Sequence, residues 1–366
     1  MAASLQHADT PPNGAATTQF PVTRYQGSKA KLVDWIWDQV AGLEFHTCLD
    51  VFGGTGVVAY RFKQAGKSVT YNDSLAFNAV MAKGLIENHS DRLSDGDIDW
   101  LLARHDDVVY ASVIQDNFHD IYYTDDENAW VDQTIANLYA FEGTSHTPAE
   151  WTNRQALAFF ALCQACIVKR PYNLFHRRNL YLRFAPVQRT FGNKASWDRP
   201  FDEWFRHFAA QANRAVFANG QPNHVCNIDA ATVPGVYDLV YIDPPYMPSH
   251  GAAVDYRDFY HFLEGLTRYS TWADDIDTQS RHHRLRLSPN EWTNKATIYG
   301  SFERLFHRYH DSTLVVSYRS DGIPSPQELT ALLQRYKPNV RVAPYGRYKY
   351  ALSKNNHSKE LLLIGV

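Results

Sequence analysis

The sequence is poor in cysteine and has no long apolar run, and these two absences exclude broad classes of protein. Four cysteines among 366 residues are too few for a disulfide-stapled fold. No stretch is long and apolar enough to cross a bilayer, and residues 1–21 lack the basic start and apolar core of a signal peptide. We therefore predict a cytoplasmic protein without a membrane partner, in which residues 1–21, rich in Ala, Thr, Pro and Gly, are disordered.

An overall excess of basic residues is also missing, since the formal net charge is -3. This total hides a segregation of charge along the chain. Residues 85–150 hold fifteen acidic residues against two arginines, whereas residues 154–214 hold eleven basic residues against three acidic ones. Such asymmetry indicates a solvated acidic face and a basic face with an anionic partner.

No metal site is predicted, although Cys163 and Cys166 have C-x-x-C spacing. The other two cysteines are isolated, so no second pair completes a tetrahedral zinc site. Residues 155–170 are apolar enough for a buried helix, in which cysteine packs as a small apolar residue. Adjacent His282 and His283 do not share one face of a helix or strand, so they do not form a ligand pair either.

Predicted strands and helices alternate over the rest of the chain, which indicates an α/β fold with a mostly parallel sheet. Two strands at the end of the chain, joined by a polar loop, predict an antiparallel hairpin on that sheet. The predicted strands are residues 47–51, 67–74, 224–230, 237–246, 312–318, 339–352 and 359–366. The predicted helices are residues 30–40, 57–66, 75–88, 299–310 and 325–336.

A glycine-rich turn, DVFGGTG, follows the first predicted strand. Glycine at Gly54 and Gly56 allows positive φ and lets a ligand approach the backbone. Asp73 ends the next strand, where a carboxylate holds a ribose diol in doubly wound folds. The pair predicts a cofactor that contains adenosine. A dinucleotide would also fit, although Ala59 departs from the G-x-G-x-x-G spacing.

The fourth predicted strand ends in DPPY, residues 243–246. The Asp243 carboxylate and the Pro244 carbonyl are two acceptors, and the exocyclic amine of a nucleobase has two N–H donors. Proline has no backbone N–H and a fixed φ, so Pro244 and Pro245 stiffen this acceptor rim. Tyr246 offers a ring for stacking. The motif therefore predicts a two-point clamp for a nucleobase NH₂ that faces the bound cofactor.

Taken in chain order, RYQGSK, DVFGGTG, NDS, NID and DPPY resemble the motifs of the Dam-type (D12 class) DNA adenine N6-methyltransferases. The resemblance implies a class I, Rossmann-like methyltransferase sheet, S-adenosylmethionine as cofactor, and an adenine flipped out of double-stranded DNA as substrate. It also implies a catalytic domain of residues 22–84 and 224–366. Residues 85–223 would be an inserted, mainly helical target-recognition region, which contacts DNA through residues 151–214.

The resemblance assigns roles to the positions that match its motifs. The implied cofactor-binding residues are Tyr25, Lys29, Asp50, Phe52, Gly54, Gly56, Asp73 and Asp229. Among them, Asp73 would take the ribose hydroxyls and Asp229 the amine of the cofactor's adenine. The implied catalytic residues, which would hold the target base, are Asp243, Pro244, Pro245 and Tyr246.

The basic stretch and a second one, residues 280–287, are the predicted DNA-binding surfaces. Arginine and lysine there would mainly meet phosphates, whereas Asn173, Arg177 and Arg178 could reach base edges. The predicted DNA-binding residues are Lys169, Arg170, Asn173, Arg177, Arg178, Arg183, Arg284 and Arg286. The family's usual N-R-x-x-F-N-G stretch is not recognisable in residues 164–179, so the sequence does not predict the target site.

Three other functions compete with this interpretation. DPPY also suits amino-methylation of RNA or of cytosine N4, because the cytosine amine presents the same two donors. A DNA-binding relative without turnover is the third, and the intact acid, glycines and lysine argue against it. A cognate restriction endonuclease is a candidate partner, and the sequence leaves the oligomeric state open.

Overall fold

The structure is a computed structural model that describes residues 18–143, 147–185, 194–249, 255–347 and 358–366. Residues 1–17 of the predicted disordered segment lie outside the described residues, as do residues 348–352 of the sixth predicted strand.

A seven-stranded sheet forms the centre of the fold. Its strands are β1 (Thr47–Asp50), β2 (Ser68–Asn72), β3 (His224–Cys226), β4 (Leu239–Ile242), β5 (Thr313–Arg319), β6 (Val340–Arg347) and β7 (Lys359–Gly365). They lie in the order β3-β2-β1-β4-β5-β7-β6. The first five strands are parallel, and β7 runs antiparallel to both β5 and β6. The predicted α/β class and terminal antiparallel hairpin are therefore confirmed.

Alternate residues of the central strands pack on opposite faces of the sheet. In β4, Val240 and Ile242 belong to one apolar cluster, whereas Leu239 and Tyr241 belong to the other. All four are buried, which is typical of a parallel strand covered on both faces. β3 is shorter than predicted, because the Asn72 side chain bonds to the backbone of Ile228 and ends the ladder there.

Helices cover both faces of the sheet and build the region between β2 and β3. Those nearest the first three strands are α1 (Val33–Val40), α2 (Val57–Gln64) and α3 (Ala76–Ala82), with α3 continued by a π-helix, Lys83–Glu87. The inserted region holds α4 (Asp95–Leu102), α5 (Val113–Phe118), α6 (Asp125–Ala140), α7 (Asn153–Val168), α8 (Tyr181–Phe184), α9 (Lys194–Asp198) and α10 (Phe201–Ala215). The later helices are α11 (Tyr256–Phe259), α12 (His261–Leu266), α13 (Ile298–Arg308) and α14 (Pro326–Leu333).

The inserted region is organised around α7, which is buried from Gln155 to Val168. The Thr152 hydroxyl caps this helix by accepting from the Gln155 amide, and the Gln155 side-chain oxygen accepts from the Thr152 amide. α7 packs against α3, α6 and α10. The predicted buried helix is confirmed, and the side chains of Cys163 and Cys166 are free and buried within it.

Residues 255–285 pack against the inserted region. The Phe175 amide donates to the Phe259 carbonyl at 2.9 Å, and the Tyr122 hydroxyl lies 2.6 Å from Nε2 of the buried His261. The segment also contacts α3, where the Phe77 amide donates to Glu264 at 3.2 Å, so a boundary at residue 224 stays a prediction.

Among the described residues, no helix combines the length and the apolar character that crossing a membrane requires.

Candidate active site

A cavity of about 510 Å³ opens at the carboxyl ends of β1, β2 and β4. In a parallel sheet these ends meet at one edge, which is where ligands bind in open α/β folds. The cavity brings together most of the predicted cofactor and base residues: Tyr25, Lys29, Asp50, Phe52, Gly54, Asp73, Asp229, Asp243, Pro244, Pro245 and Tyr246. Gly56 instead forms the N-cap of α2, with φ of +80°.

Asp73 holds the glycine-rich turn in place. One carboxylate oxygen accepts from the Gly54 amide at 2.9 Å, and the other accepts from the Leu75 amide at 2.8 Å. Gly54 has φ of +51°, a conformation that favours glycine. Burial raises the pKa of Asp73 to about 6, although these hydrogen bonds oppose the rise. The carboxylate therefore ties the turn after β1 to the start of α3.

Asp50 supplies an unsatisfied polar atom to the same cavity. Its side chain is buried, and its Oδ1 has no hydrogen-bond partner in the described part of the chain. Burial raises the pKa of Asp50, and the nearby carboxylates of Asp243 and Asp73 raise it further. A buried carboxylate oxygen without a donor is costly, so the site favours a ligand that brings a cationic or hydrogen-bonding group to this oxygen.

Asp243 forms a compact polar cluster with Lys29 and Tyr246. The Lys29 ammonium lies 2.9 Å from Oδ1 of Asp243 and donates to the Tyr246 hydroxyl at 2.7 Å. The Tyr246 hydroxyl lies 2.6 Å from the same Asp243 oxygen. Burial raises the pKa of the Asp243 carboxyl and Lys29 lowers it, with a net rise. A cation from the RYQGSK segment therefore lies directly beside the carboxylate of the predicted DPPY clamp.

Two further members of this cluster come from strands that carry no recognised motif. Glu360 of β7 is fully buried and lies 3.5 Å from the Lys29 ammonium. Ser317 of β5 donates to Glu360 at 2.5 Å. Burial alone lowers the pKa of Lys29, but Asp243 and Glu360 outweigh it and hold that pKa above its ordinary value. The sequence signal for Glu360 is faint, a single acid at the start of an apolar run.

Aromatic rings line two walls of the cavity. Tyr25 stacks on Tyr260 with centroids 4.4 Å apart and on Tyr256 with centroids 5.8 Å apart. On the other wall, Phe52 meets Trp292 edge to face, with centroids 4.9 Å apart. Tyr256 and Trp292 both line the cavity, and sequence reasoning missed them because neither belongs to a recognised motif.

Three of the predicted DNA-binding residues are buried, and their charged groups contact protein groups in this structure, so their contact with DNA stays a prediction. Lys169 and Arg183 both form ion pairs with Glu127 of α6, at 2.8 and 2.6 Å. Arg170 is fully buried, and its guanidinium donates to backbone carbonyls that include those of Leu174 and Arg177. Lys169 and Arg170 directly follow the buried α7, and Arg183 lies in α8, so their charged groups pair with carboxylates and carbonyls inside the insertion.

The other five predicted DNA-binding residues remain at or near the surface. Arg177 and Arg286 are exposed. Arg178 is exposed and paired with Asp120, and Arg284 is half-buried and lies 3.3 Å from Asp277. Asn173 is half-buried with φ of +59°. Nearby, Tyr172, Tyr181 and Phe184 expose 68%, 67% and 64% of their surface.

Comparison with known proteins agrees with the motif pattern over most of the chain. The family model described as D12 class N6 adenine-specific DNA methyltransferase matches residues 25–313. The chain is 26% identical to Type II methyltransferase M2.HphI of Haemophilus parahaemolyticus, over 94% of this chain and 97% of that protein. It is 22% identical to Type II methyltransferase M.NlaIII of Neisseria lactamica, over 92% and 95% respectively. Modification methylase StsI of Streptococcus sanguinis is 25% identical, over 93% of this chain and 51% of that protein.

Proposed function

Because this chain belongs to the D12 class of N6 adenine-specific DNA methyltransferases, we propose that it transfers a methyl group from S-adenosylmethionine to N6 of an adenine flipped out of double-stranded DNA. Relatives named type II methyltransferases and modification methylases support a role in restriction-modification. A cognate restriction endonuclease is then the candidate partner, and the cytoplasm, where bacterial DNA is accessible, is the proposed location.

One observation carries this proposal: Asp243 and the Asp73–Gly54 pair line the same cavity. Direct transfer between two bound molecules requires the base clamp and the cofactor turn to share one space, because the reacting atoms must approach to about 3–3.5 Å. No covalent intermediate on the protein is needed. Cys163 and Cys166 are buried in α7, and neither lines the cavity.

The residues of the cavity fit S-adenosylmethionine. When bound, this cofactor supplies an electrophilic methyl group on a positively charged sulfur. The unsatisfied Oδ1 of Asp50 suits its cationic amino group, and Tyr25 and Lys29 would flank the methionine side. Asp73 would accept from the ribose hydroxyls with its remaining lone pairs. The exposed Asp229 would accept from the adenine amine.

The base side of the cavity suits an exocyclic amine. Asp243 and the Pro244 carbonyl would accept the two N6 hydrogens and direct the nitrogen lone pair toward the methyl group. Removing adenine from the stack costs a few kcal/mol. The Tyr246 ring would offset part of that cost by stacking, which contributes about 1–3 kcal/mol per base. Its hydroxyl is anchored by Asp243, so the ring is oriented before the base arrives.

The DNA would lie across the exposed part of the insertion. Arg177, Arg178 and Arg286 would meet phosphates or base edges, and the exposed Tyr172 and Tyr181 would add aromatic contact. Phosphate contacts release counterions, so affinity should fall steeply as salt rises. The buried Lys169, Arg170 and Arg183 would act indirectly, by holding this surface in shape.

The test is product identity. The full chain and S-adenosylmethionine labelled in its methyl group are incubated with duplex DNA in one reaction and with RNA in another. The nucleic acid is then digested to nucleosides, which are separated. We expect labelled N6-methyl-2′-deoxyadenosine from DNA and no labelled nucleoside from RNA. Label in cytosine, label in RNA alone, or no transfer would each overturn the proposal, and the last would favour an inactive DNA-binding relative. Asp243→Ala is the matched negative control, because it removes the clamp.

A further inference from the structure

Glu360 lies directly behind the base clamp. Its Oε1 is 2.9 Å from the Tyr246 hydroxyl, 3.5 Å from the Lys29 ammonium and 2.5 Å from the Ser317 hydroxyl. The Tyr246 hydroxyl has a single hydrogen, which it can donate to Asp243 or to Glu360 but not to both at once. The two carboxylates therefore compete for the same tyrosine and the same ammonium.

One ammonium in this cluster lies between two carboxylates. Lys29 carries one positive charge between the carboxylates of Asp243 and Glu360, and the side chains of the three residues expose 6%, 14% and 0% of their surface. Of these two carboxylates, Asp243 lines the cavity, so it is the one that can meet a proton released there.

Methyl transfer releases one proton at this place. The N6 lone pair forms a bond to the methyl carbon, the carbon–sulfur bond breaks, and its electron pair stays on sulfur. N6 then carries a positive charge and two hydrogens, and it must lose one as a proton. The nearest acceptor in the clamp is the Asp243 carboxylate, which becomes neutral as the methylated amine becomes neutral.

We propose that Glu360 is a positioning residue for this step. It attracts Lys29 and Tyr246 away from Asp243, so that Asp243 keeps its affinity for the N6 proton. The inference rests on the proposed function and deepens it. Without Glu360, the Lys29 ammonium interacts more strongly with the Asp243 carboxylate, and Asp243 becomes a weaker base. Ser317 works in the opposite direction, because its hydrogen bond satisfies part of Glu360 and leaves Lys29 closer to Asp243.

Several other groups face Glu360 or its partners from the surrounding elements. Arg319 of β5 and Tyr345 of β6 are its register partners in the sheet, and the Arg319 guanidinium is bonded to Asp321. Within the described part of the chain, further titratable or hydroxyl groups that face the cluster include Asp50, Tyr241, Tyr256 and Ser317. The wild-type chain and the two variants below share all of these groups except the one that is replaced.

The test is the pH dependence of the single-turnover rate of methyl transfer to duplex DNA. We expect Glu360→Gln to lower that rate about tenfold and to move the acid limb of the profile about one unit to lower pH, since removing a nearby charge shifts a carboxyl pKa by about that amount. Ser317→Ala should move the acid limb the other way, to higher pH. Cofactor affinity, measured by calorimetry, should change little in either variant.

The opposite shifts separate positioning from a structural role. Asp132→Asn is the control, since Asp132 is a buried, hydrogen-bonded carboxylate outside the cavity, and it should lower stability without moving the acid limb. An unchanged acid limb in Glu360→Gln would overturn the inference, even if the rate falls. Should Glu360→Gln fail to fold, an acid limb that Ser317→Ala leaves in place would overturn it equally. No methyl transfer by the wild-type chain would instead overturn the proposed function, and this inference with it.

Discussion

The carboxylate of Asp73 bridges the backbone amides of Gly54 and Leu75, at 2.9 and 2.8 Å. One side chain thus ties the turn after β1 to the first residues before α3. Asp73→Ala should weaken S-adenosylmethionine binding about 10- to 100-fold, because a hydrogen bond to a charged group contributes about 1.5–3 kcal/mol. Titration calorimetry measures this.

Ser325→Ala is the control for general loss of stability. It removes the helix cap of α14, which should cost about 1 kcal/mol, and it lies outside the cavity. If both variants lose stability equally and neither loses cofactor affinity, the assigned role of Asp73 is wrong.

Asp243→Ala should abolish most turnover while leaving cofactor affinity largely intact. In the proposed mechanism the carboxylate accepts an N6 hydrogen, and removing one preorganised group of this kind reduces rates by about 10²–10³. Asp243→Asn should retain more activity than Asp243→Ala, since its amide oxygen still accepts one hydrogen bond. Single-turnover assays alongside calorimetry separate the two effects. A wild-type rate in Asp243→Ala would refute the clamp.

Trp292→Ala should weaken cofactor binding about 3- to 10-fold, on the scale of one aromatic pair at about 0.5–1.5 kcal/mol. The indole packs edge to face against Phe52 and lines the cavity. DNA affinity in the absence of cofactor should not change. Trp100→Ala is the matched control, because Trp100 lies on α4 and stacks on His105 away from the cavity. Equal cofactor affinities in the two variants would contradict this assignment.

Arg170→Met and Arg177→Ala should fail in different ways. Arg170 is buried among backbone carbonyls, so its loss should lower the free energy of unfolding by about 3 kcal/mol or more. Arg177 is exposed, so its loss should leave stability unchanged, weaken DNA binding for all sequences and reduce the salt slope by about one. Urea unfolding and salt-dependent DNA titration measure the two quantities. Weaker DNA binding without loss of stability in Arg170→Met would support the sequence-based prediction that Arg170 contacts DNA.

Lys63 should make stability depend on pH above neutrality. Its ammonium is buried and donates to the Asn88 carbonyl at 2.8 Å, and burial lowers its pKa to about 8. Between pH 8 and its ordinary value of 10.5, the unfolded chain binds a proton that the folded chain has lost. The contribution of Lys63 to the free energy of unfolding therefore rises with pH across this window, by at most about 3 kcal/mol.

Lys63→Met should remove this rise, whereas Lys67→Met, at a partly exposed lysine, should keep it. The free energy of unfolding, measured in urea from pH 7.5 to about 10.5, gives the comparison. The same slope in Lys63→Met and in the wild-type chain would show that Lys63 is not responsible.

Local patterns predicted most of the fold. The strand at residues 47–51 and the helix at 57–66 differ from β1 and α2 by one or two residues at an end. Helix periodicity, glycine turns and apolar strands act over a few residues, so a single sequence contains them. The insertion was harder to predict. Lys169, Arg170 and Arg183 form part of a basic run in the sequence, but they are buried against Glu127 and backbone carbonyls.

The candidate site likewise has some features that local sequence predicts and others that only the fold brings together. DVFGGTG, Asp73 and DPPY can each be recognised in the sequence, because a positive-φ turn, a strand-end acid and a proline-stiffened rim need particular residue types close together in the chain. The contact of Lys29 with Glu360 joins the two ends of the chain through β7, and the contact of Phe52 with Trp292 depends on an irregular loop. Such contacts depend on strand order and packing, so only the tertiary structure could decide them. The sequence by itself determined the chemistry that the site can hold, and the fold decided which buried charges tune it.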